Sequence, residues 1–498
     1  MLLNQYLRGS DDAIALVQQG RKLTYGELKK AIAHIANWIT TEKVSRIAIA
    51  FDNSIAWVVC DLACQQAGIC CVPIPLFFSS AQQQHILEES QCEYLLTSSN
   101  SALSLGAPEH LLDRENDIVA HCRLVSSSVA MPDGTEKITF TSGSTGAPKG
   151  VCLSTQSQWK VAQSIDNAVS QTEVNHLCLL PLSTLLENIA GVYAPLLNGG
   201  RVNLATLDER GFKGSKLVNP GALLTLIDNT KPTSVIIVPD LLLVLLQACH
   251  QGWTPPSSLT FIAVGGAHVS PHLLQQAHAN GLPVYEGYGL SEAVSVSTLN
   301  TPNNNCLGTA GRTLGHNTLH IDNGEVVVTG NHFLGYLNQP DSFYPSAVRT
   351  GDLGYFNDNS LILNGRKKNI MVNSFGRNVS PEWIESLLMG SGLFRQVLVF
   401  CEAKPYCVAL LTPATPNVSH TDITKAISQI NHQLPDYAQV MAFDTMALCT
   451  PENGLLTQTG KIKRAEALSH YRDQIDALYS SSDSTQCPEA RALLTPIQ

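Results

Sequence analysis

The sequence predicts an α/β fold, a large amino-terminal domain of sheets flanked by helices followed by a small α+β domain. Three observations carry this expectation. Short β-rich apolar runs alternate with helical patterns, glycine and proline punctuate the joints, and a turn-rich loop follows Gly365-Arg366-Lys367-Lys368. Such alternation favours largely parallel sheets. A chain of 498 residues is long enough for more than one domain and a large core.

The elements follow in order. Arg46 to Phe51 (RIAIAF) reads as a buried strand and Ser54 to Ala67 as the helix after it. Lys137 to Phe140, Val235 to Val238 and Leu259 to Val264 are further strands, the last two each followed by a helical pattern. Beyond Asn373-Ser374-Phe375-Gly376-Arg377-Asn378, Ser380 is placed to cap a helix with Pro381 at its first position and Glu382 next. A last helix shows Leu468, Tyr471, Ile475, Leu478 and Tyr479 at helical spacing. From Ser480 the chain turns polar and serine-rich, which predicts a mobile tail. The expected units are residues 1–367, 368–479 and the tail 480–498. No internal repeat is evident.

Composition narrows the class. Hydrophobic residues make up 44% and charged residues 14%, which describes a globular chain. A formal net charge of −10 argues against a nucleic-acid partner and leaves room for a local basic pocket. The 14 cysteines are scattered, often within apolar runs, and none has C-x-x-C spacing. They read as reduced, buried residues of a cytoplasmic protein rather than as a zinc or redox site. The amino terminus lacks a signal-peptide pattern, and Val235 to Leu246 is too short and too interrupted to span a bilayer. A soluble protein with no integral membrane segment is expected.

The strongest local signal is Thr141-Ser142-Gly143-Ser144-Thr145-Gly146-Ala147-Pro148-Lys149-Gly150. Small residues let the backbone bend around phosphate oxygens, hydroxyls and amides donate to them, and Lys149 adds a positive charge. The order of residues is not that of a Walker loop. This segment resembles the signature of the adenylate-forming (AMP-binding) superfamily, which includes acyl-CoA synthetases, peptide-synthetase adenylation domains and luciferases.

The resemblance continues in order along nearly the whole chain. Leu23-Thr24-Tyr25-Gly26-Glu27-Leu28, and Ala67-Gly68 through Pro73-Ile74-Pro75, are similar to the family's early structural motifs. Tyr285-Glu286-Gly287-Tyr288-Gly289-Leu290-Ser291-Glu292 resembles the adenine and metal segment. The resemblance implies that Tyr288 stacks on adenine, Ser291 contacts the α-phosphate and Glu292 helps hold Mg²⁺. It likewise implies that Gly265-Gly266-Ala267 bring backbone close to adenine and acyl group, and that Asp352 of Arg349-Thr350-Gly351-Asp352-Leu353-Gly354 accepts from the ribose hydroxyls. Arg366 would contact ribose or phosphate, and Lys368 falls at the family's hinge, so the small domain is expected to be mobile. Leu456-Thr457-Gln458-Thr459-Gly460-Lys461-Ile462-Lys463-Arg464 resembles the carboxy-terminal motif, with Lys461 the catalytic lysine. Gly376 would leave room for a pantetheine arm when the small domain turns.

The implied function is ATP-dependent activation of a carboxylic acid as acyl-AMP, with pyrophosphate released. The acyl group would then pass to a thiol, either coenzyme A or the phosphopantetheine of a carrier protein. Leu180-Pro181-Leu182-Ser183-Thr184-Leu185-Leu186-Glu187 aligns with the segment lining the acyl pocket, through Thr184 and Glu187. Many members carry histidine at Thr184, and long-chain members carry the glutamate at Glu187. No aspartate holds an α-amino group in this region, so a fatty or other non-amino acid is expected. Gly365-Arg366-Lys367-Lys368-Asn369, Asn378 to Glu385 and the Tyr471/Ile475/Tyr479 helix resemble long-chain fatty acyl-CoA synthetases. Two alternatives stay open: an enzyme that uses the adenylate without a thioester, as luciferases and β-lactone synthetases do, and a noncatalytic homologue. His268 and His316 are weighed as pocket residues, with structural or surface roles favoured.

Overall fold

The computed structural model describes residues 3–101, 103, 110–123, 128–141, 148–214, 216–267, 269–375, 377–457 and 460–480. Among these, elements before Lys367 build two large sheets and elements after it build small ones. In the eight-stranded sheet, Arg46–Ala50 pairs in parallel with Cys70–Pro73 and Tyr94–Thr97. Its other end carries the antiparallel hairpin Lys137–Thr141 and Lys149–Leu153, with Thr141 opposite Lys149. The predicted helix after the first of these strands runs Ile55–Ala67, capped by the Ser54 side chain on Trp57 N and closed by Gly68 in the left-handed conformation.

In the thirteen-stranded sheet, Asn175–Cys178, Ser234–Ile237, Phe261–Val264 and Val284–Leu290 lie side by side in parallel. These short strands are buried on both faces, which is why they read as continuous apolar runs rather than as alternating ones. On one face Val235, Ile237, Ile262 and Val264 pack beneath the helices Pro220–Thr230, Pro239–His250 and Pro271–Ala279. On the other face Phe261 joins the main core, which also takes in residues of the helix Thr155–Val169 and the segment Leu185–Leu197. That segment contains a π-helical stretch, Glu187–Tyr193, continued by the α-helix Ala194–Asn198. Wide turns of this kind are rare and cluster at functional sites.

The carboxy-terminal part has a three-stranded sheet, Phe394–Phe400, Cys407–Pro413 and Val440–Thr445, and its own apolar clusters. Its helix Pro381–Met389 starts at the proline as expected, although the Ser380 side chain makes no capping bond to it. The single last helix expected from the apolar spacing is instead two, Arg464–His470 and Arg472–Ser480. The break falls at Tyr471, whose ring is buried and whose hydroxyl donates to Ala447 O. The expected tail, apart from Ser480 itself, lies outside the described residues. Among the described residues no helix is long and apolar enough to cross a membrane.

Candidate active site

A cavity of about 330 Å³ opens where the carboxy-terminal ends of the parallel strands meet the carboxy-terminal domain. Ligands of open parallel sheets bind at such strand ends. Gly265, Gly266, Gly287, Tyr288, Gly289 and Ser291 line its mouth from the large domain, and Lys461 lines it from the small one. Residues far apart in sequence therefore converge on one opening.

The strand Val284–Leu290 delivers the first group. It turns through a 3-10 segment, Ser291–Ala293, into the antiparallel strand Ser295–Leu299. Val294 and Ser295 take φ of 60° and 91°, which β-branched and hydroxyl residues seldom adopt and which local packing must hold. The reversal brings the Ser295 carbonyl so close to Gly289 that a Cβ there would overlap it. Glycine is a steric requirement at that position.

Asp352 is placed by the hairpin of Val348–Asn357 and Ser360–Arg366, whose register sets Asp352 opposite Arg366. Arg366 Nε lies 2.8 Å from Asp352 Oδ1, and the Tyr288 hydroxyl donates to Oδ2 at 2.7 Å. Burial first, and then the Asp352 charge, push the Tyr288 phenol well above its ordinary value, so it is a neutral donor. A carboxylate offers about four lone-pair sites, so Asp352 keeps acceptor capacity for a diol.

Glu292 accepts from the Tyr336 hydroxyl at 2.8 Å through Oε1. Lys149 Nζ stands 5.7 Å from the centroid of the same tyrosine ring. Tyr336 thus links the lysine of the phosphate segment to the acidic residue, a role the sequence did not disclose. The strand Gly335–Tyr336 is brought there by pairing with Lys149–Leu153, and the dipeptide itself carries no signal. A glutamate oxygen suits a hard divalent cation, so Glu292 fits the part expected of it toward Mg²⁺. Of the phosphate segment, Thr141 and Lys149 face each other across the hairpin, while Ser142, Gly143, Ser144, Thr145, Gly146 and Ala147 lie outside the described residues.

Lys461 sits on a tight loop in which Thr457 N donates to Lys461 O at 2.7 Å and Lys461 N to Thr457 Oγ1 at 2.9 Å. Its side chain keeps accessible surface, yet protein crowds it enough that desolvation lowers its pKa. Arg366 and Lys368 push the same way, and Asp352 opposes them. A positive charge is therefore held at the mouth at some electrostatic cost, close to the Asp352–Arg366 pair. Lys368 lies in the 3-10 turn Lys367–Asn369 between the domains, and Gly376 lies outside the described residues.

Thr184 lines the cavity, with its hydroxyl donating to Pro181 O at 2.7 Å. Glu187 is completely buried behind the wall. Its Oε1 lies 3.0 Å from His176 Nε2, and its Oε2 accepts from Leu180 N. It is His176, not Glu187, that borders the cavity. Ala267 is exposed beside the mouth without lining it. His316 is half-buried away from the cavity, and desolvation lowers its pKa to about 4, so it is neutral. His268 lies outside the described residues.

Residues 3–337 match the family described as AMP-binding enzyme, and residues 368–483 match the AMP-binding enzyme C-terminal domain. The chain is similar to the long-chain-fatty-acid–CoA ligase FadD15 of Mycobacterium bovis, 25% identical over 528 residues that cover 87% of this chain and 88% of the relative. It is similar to the 2-succinylbenzoate–CoA ligase of Bacillus subtilis, 25% identical over 420 residues covering 78% and 82%. The o-succinylbenzoate CoA synthetase structure from Bacillus subtilis with its acyl-adenylate intermediate superposes with a TM-score of 0.74 at 23% identity, over 93% of this chain and 97% of that one.

Proposed function

The chain belongs to the AMP-binding enzyme family, and from that premise we propose that it is an AMP-forming acid–thiol ligase. It activates a carboxylic acid with ATP and passes the acyl group to coenzyme A. Relatives named as CoA ligases, among them one seen with an acyl-adenylate and one with ATP and magnesium ion, support this reading. The observation that carries it is the meeting of Lys461 with Tyr288 and Ser291 around a single cavity.

The chemistry follows from the charges. A carboxylate and the ATP triphosphate are both anionic, and their repulsion is the first obstacle. Lys149 and Lys461 supply opposing charge from the two domains. Bound Mg²⁺ would offset more of the triphosphate charge, held at Glu292. As the carboxylate attacks the α-phosphorus, the Lys461 ammonium is suited to bridge the attacking and phosphoryl oxygens, where negative charge crowds. Pyrophosphate leaves and an acyl-adenylate results. Tyr288 offers a flat ring to adenine, and Asp352 offers acceptors to the ribose.

For the second half-reaction the small domain, residues 368–479, turns about Lys368 against residues 1–367. Lys461 leaves, and the loop carrying Gly376 admits the thiol, which attacks the acyl carbonyl and expels AMP. A carrier-protein phosphopantetheine presents the same thiol and is a second acceptor in this reading. Incubation with ATP, Mg²⁺ and an acid panel, with and without coenzyme A, tests the proposal. Acid-dependent pyrophosphate release and acyl-CoA formation are expected. Adenylate that never reaches either thiol would favour a different use of the intermediate, and no release with any acid would refute the reading.

A further inference from the structure

From the shape and lining of the cavity behind Lys461 we infer that the acid is an unbranched apolar monocarboxylate whose tail is measured along one helix face. This inference rests on the ligase reading above and adds the substrate to it. From the mouth, the cavity runs back across the sheet toward the amino-terminal ends of the strands, past Ala263 and Ile236 to Phe261 and Ser234. Alternate residues of each strand share a face, so these belong to the face opposite Val235 and Ile262. The opposing wall is the segment Leu186, Ala190, Ala194 and Asn198, all bordering the cavity at four-residue spacing. Ala190 keeps accessible surface deep in the protein because it opens onto this space.

Twelve residues of helix extend on the order of 15–18 Å. A saturated chain advances roughly 1.3 Å per carbon, from a bond of about 1.5 Å set in a zigzag. The wall therefore matches a tail on the order of a dozen carbons. Its far end is polar: Asn198 Nδ2 donates to Asp166 Oδ1 at 2.8 Å and to Gln171 O at 3.2 Å. An apolar tail gains by burial up to this rim and gains nothing beyond it.

The lining also rejects a second carboxylate. Among the described residues, apart from Lys461 at the mouth, the only basic side chain bordering the cavity is His176. Both of its ring nitrogens are engaged, Nδ1 with Ser234 Oγ at 2.9 Å and Nε2 with Glu187 at 3.0 Å. A Cβ on Gly191 would overlap both His176 and Glu187, so the helix backbone covers the pair. Asp166, the one acidic residue among the described residues of the lining, would repel a distal anion.

The test is kcat/KM for pyrophosphate release across straight-chain acids from hexanoate to octadecanoate, with 2-succinylbenzoate and ferulate beside them. The wild type should favour a saturated acid of middle length, and 2-succinylbenzoate should be turned over poorly. Ala194→Phe and Ala190→Phe should move the optimum to shorter acids, Ala190→Phe further, since one helical turn corresponds to about four carbons. A pocket discriminates roughly tenfold or more per methylene it cannot seat, so the long-to-short ratio should fall at least tenfold. If a phenylalanine variant melts early, Ala190→Leu and Ala194→Leu give the same ordering with less bulk. A wild-type preference for the aromatic or dicarboxylic acid, or equal loss on every chain length in the variants, would overturn the inference while leaving the ligase reading intact. No release with any acid would instead overturn the ligase reading.

Discussion

The Tyr288 hydroxyl donates to Asp352 Oδ2 at 2.7 Å, joining two segments 64 residues apart at the mouth of the cavity. Arg366 holds the other oxygen of the same carboxylate. The ring proposed to stack on adenine and the carboxylate proposed to accept from the ribose are thus braced against each other. Tyr288→Phe should keep the ring and cost little ATP affinity, whereas Tyr288→Ala should raise the KM for ATP at least tenfold. A hydrogen bond to a charged group contributes about 1.5–3 kcal/mol, so Asp352→Ala should weaken AMP binding tenfold to a hundredfold. Steady-state kinetics in ATP check the two Tyr288 variants, and titration calorimetry with AMP checks Asp352→Ala.

The proposed metal role of Glu292, and with it the Tyr336 contact, is read in the Mg²⁺ requirement. Glu292→Gln should raise the Mg²⁺ concentration for half-maximal pyrophosphate release several-fold, because a neutral amide is a poorer ligand for a hard cation. Tyr336→Phe removes only the donor on Oε1 and should shift it less. Identical Mg²⁺ curves for wild type and Glu292→Gln would remove Glu292 from the metal's surroundings.

In its proposed role Lys461 must be protonated to stabilise the transition state, and its pKa lies below the ordinary 10.5 through desolvation and then Arg366. The alkaline limb of the adenylation rate should accordingly fall below the value for a free lysine. Arg366→Gln removes a lowering influence and should move that limb upward. Asp352→Asn removes the opposing one and should move it downward. Limbs that stay fixed in both variants would show that another group titrates.

A separate prediction concerns stability. Lys137 Nζ lies 2.7 Å from Asp61 Oδ1, and both side chains are buried. Nζ also donates to Asn188 Oδ1 and the Tyr193 hydroxyl. Removing one partner of a buried pair costs about 3–5 kcal/mol, whereas replacing both with apolar groups is often near neutral. Lys137→Met should thus unfold at lower denaturant, and Lys137→Met with Asp61→Leu should recover much of the loss. A neutral single variant would contradict the pairing.

The sequence disclosed what local chemistry enforces. The Ser54 cap, the strands around Arg46 and Phe261, and the helix opening at Pro381 each follow from a few neighbouring residues. The large-domain residues around Tyr288, Asp352 and Lys149 were nameable because each lies in a dense motif. Tyr336 and His176 were not, because their partners come through sheet pairing and from a helix that a reading by segment cannot assemble. The π-helical stretch was hidden as well: nothing local in Glu187 to Tyr193 marks the wider turn. The last helix divides at Tyr471, whose hydroxyl donates to Ala447 O, a tertiary contact that apolar periodicity does not report.

The proposed turn of the small domain separates two groups of variants. Lys368→Pro fixes φ at the interdomain turn and should leave acyl-adenylate formation while thiol transfer falls. Gly376→Trp should do the same by obstructing the thiol's path. Equal loss of both half-reactions in each variant would count against a turning domain.

The most direct measurement is ATP–pyrophosphate exchange by Lys461→Ala, read beside transfer from a chemically prepared acyl-adenylate to coenzyme A. In the proposed mechanism Lys461 acts in the first transition state and leaves for the second, so exchange should collapse by at least a hundredfold, mainly in kcat, while transfer persists. Undiminished exchange by this variant would contradict the assignment of Lys461, and with it the account of how the two domains build one site.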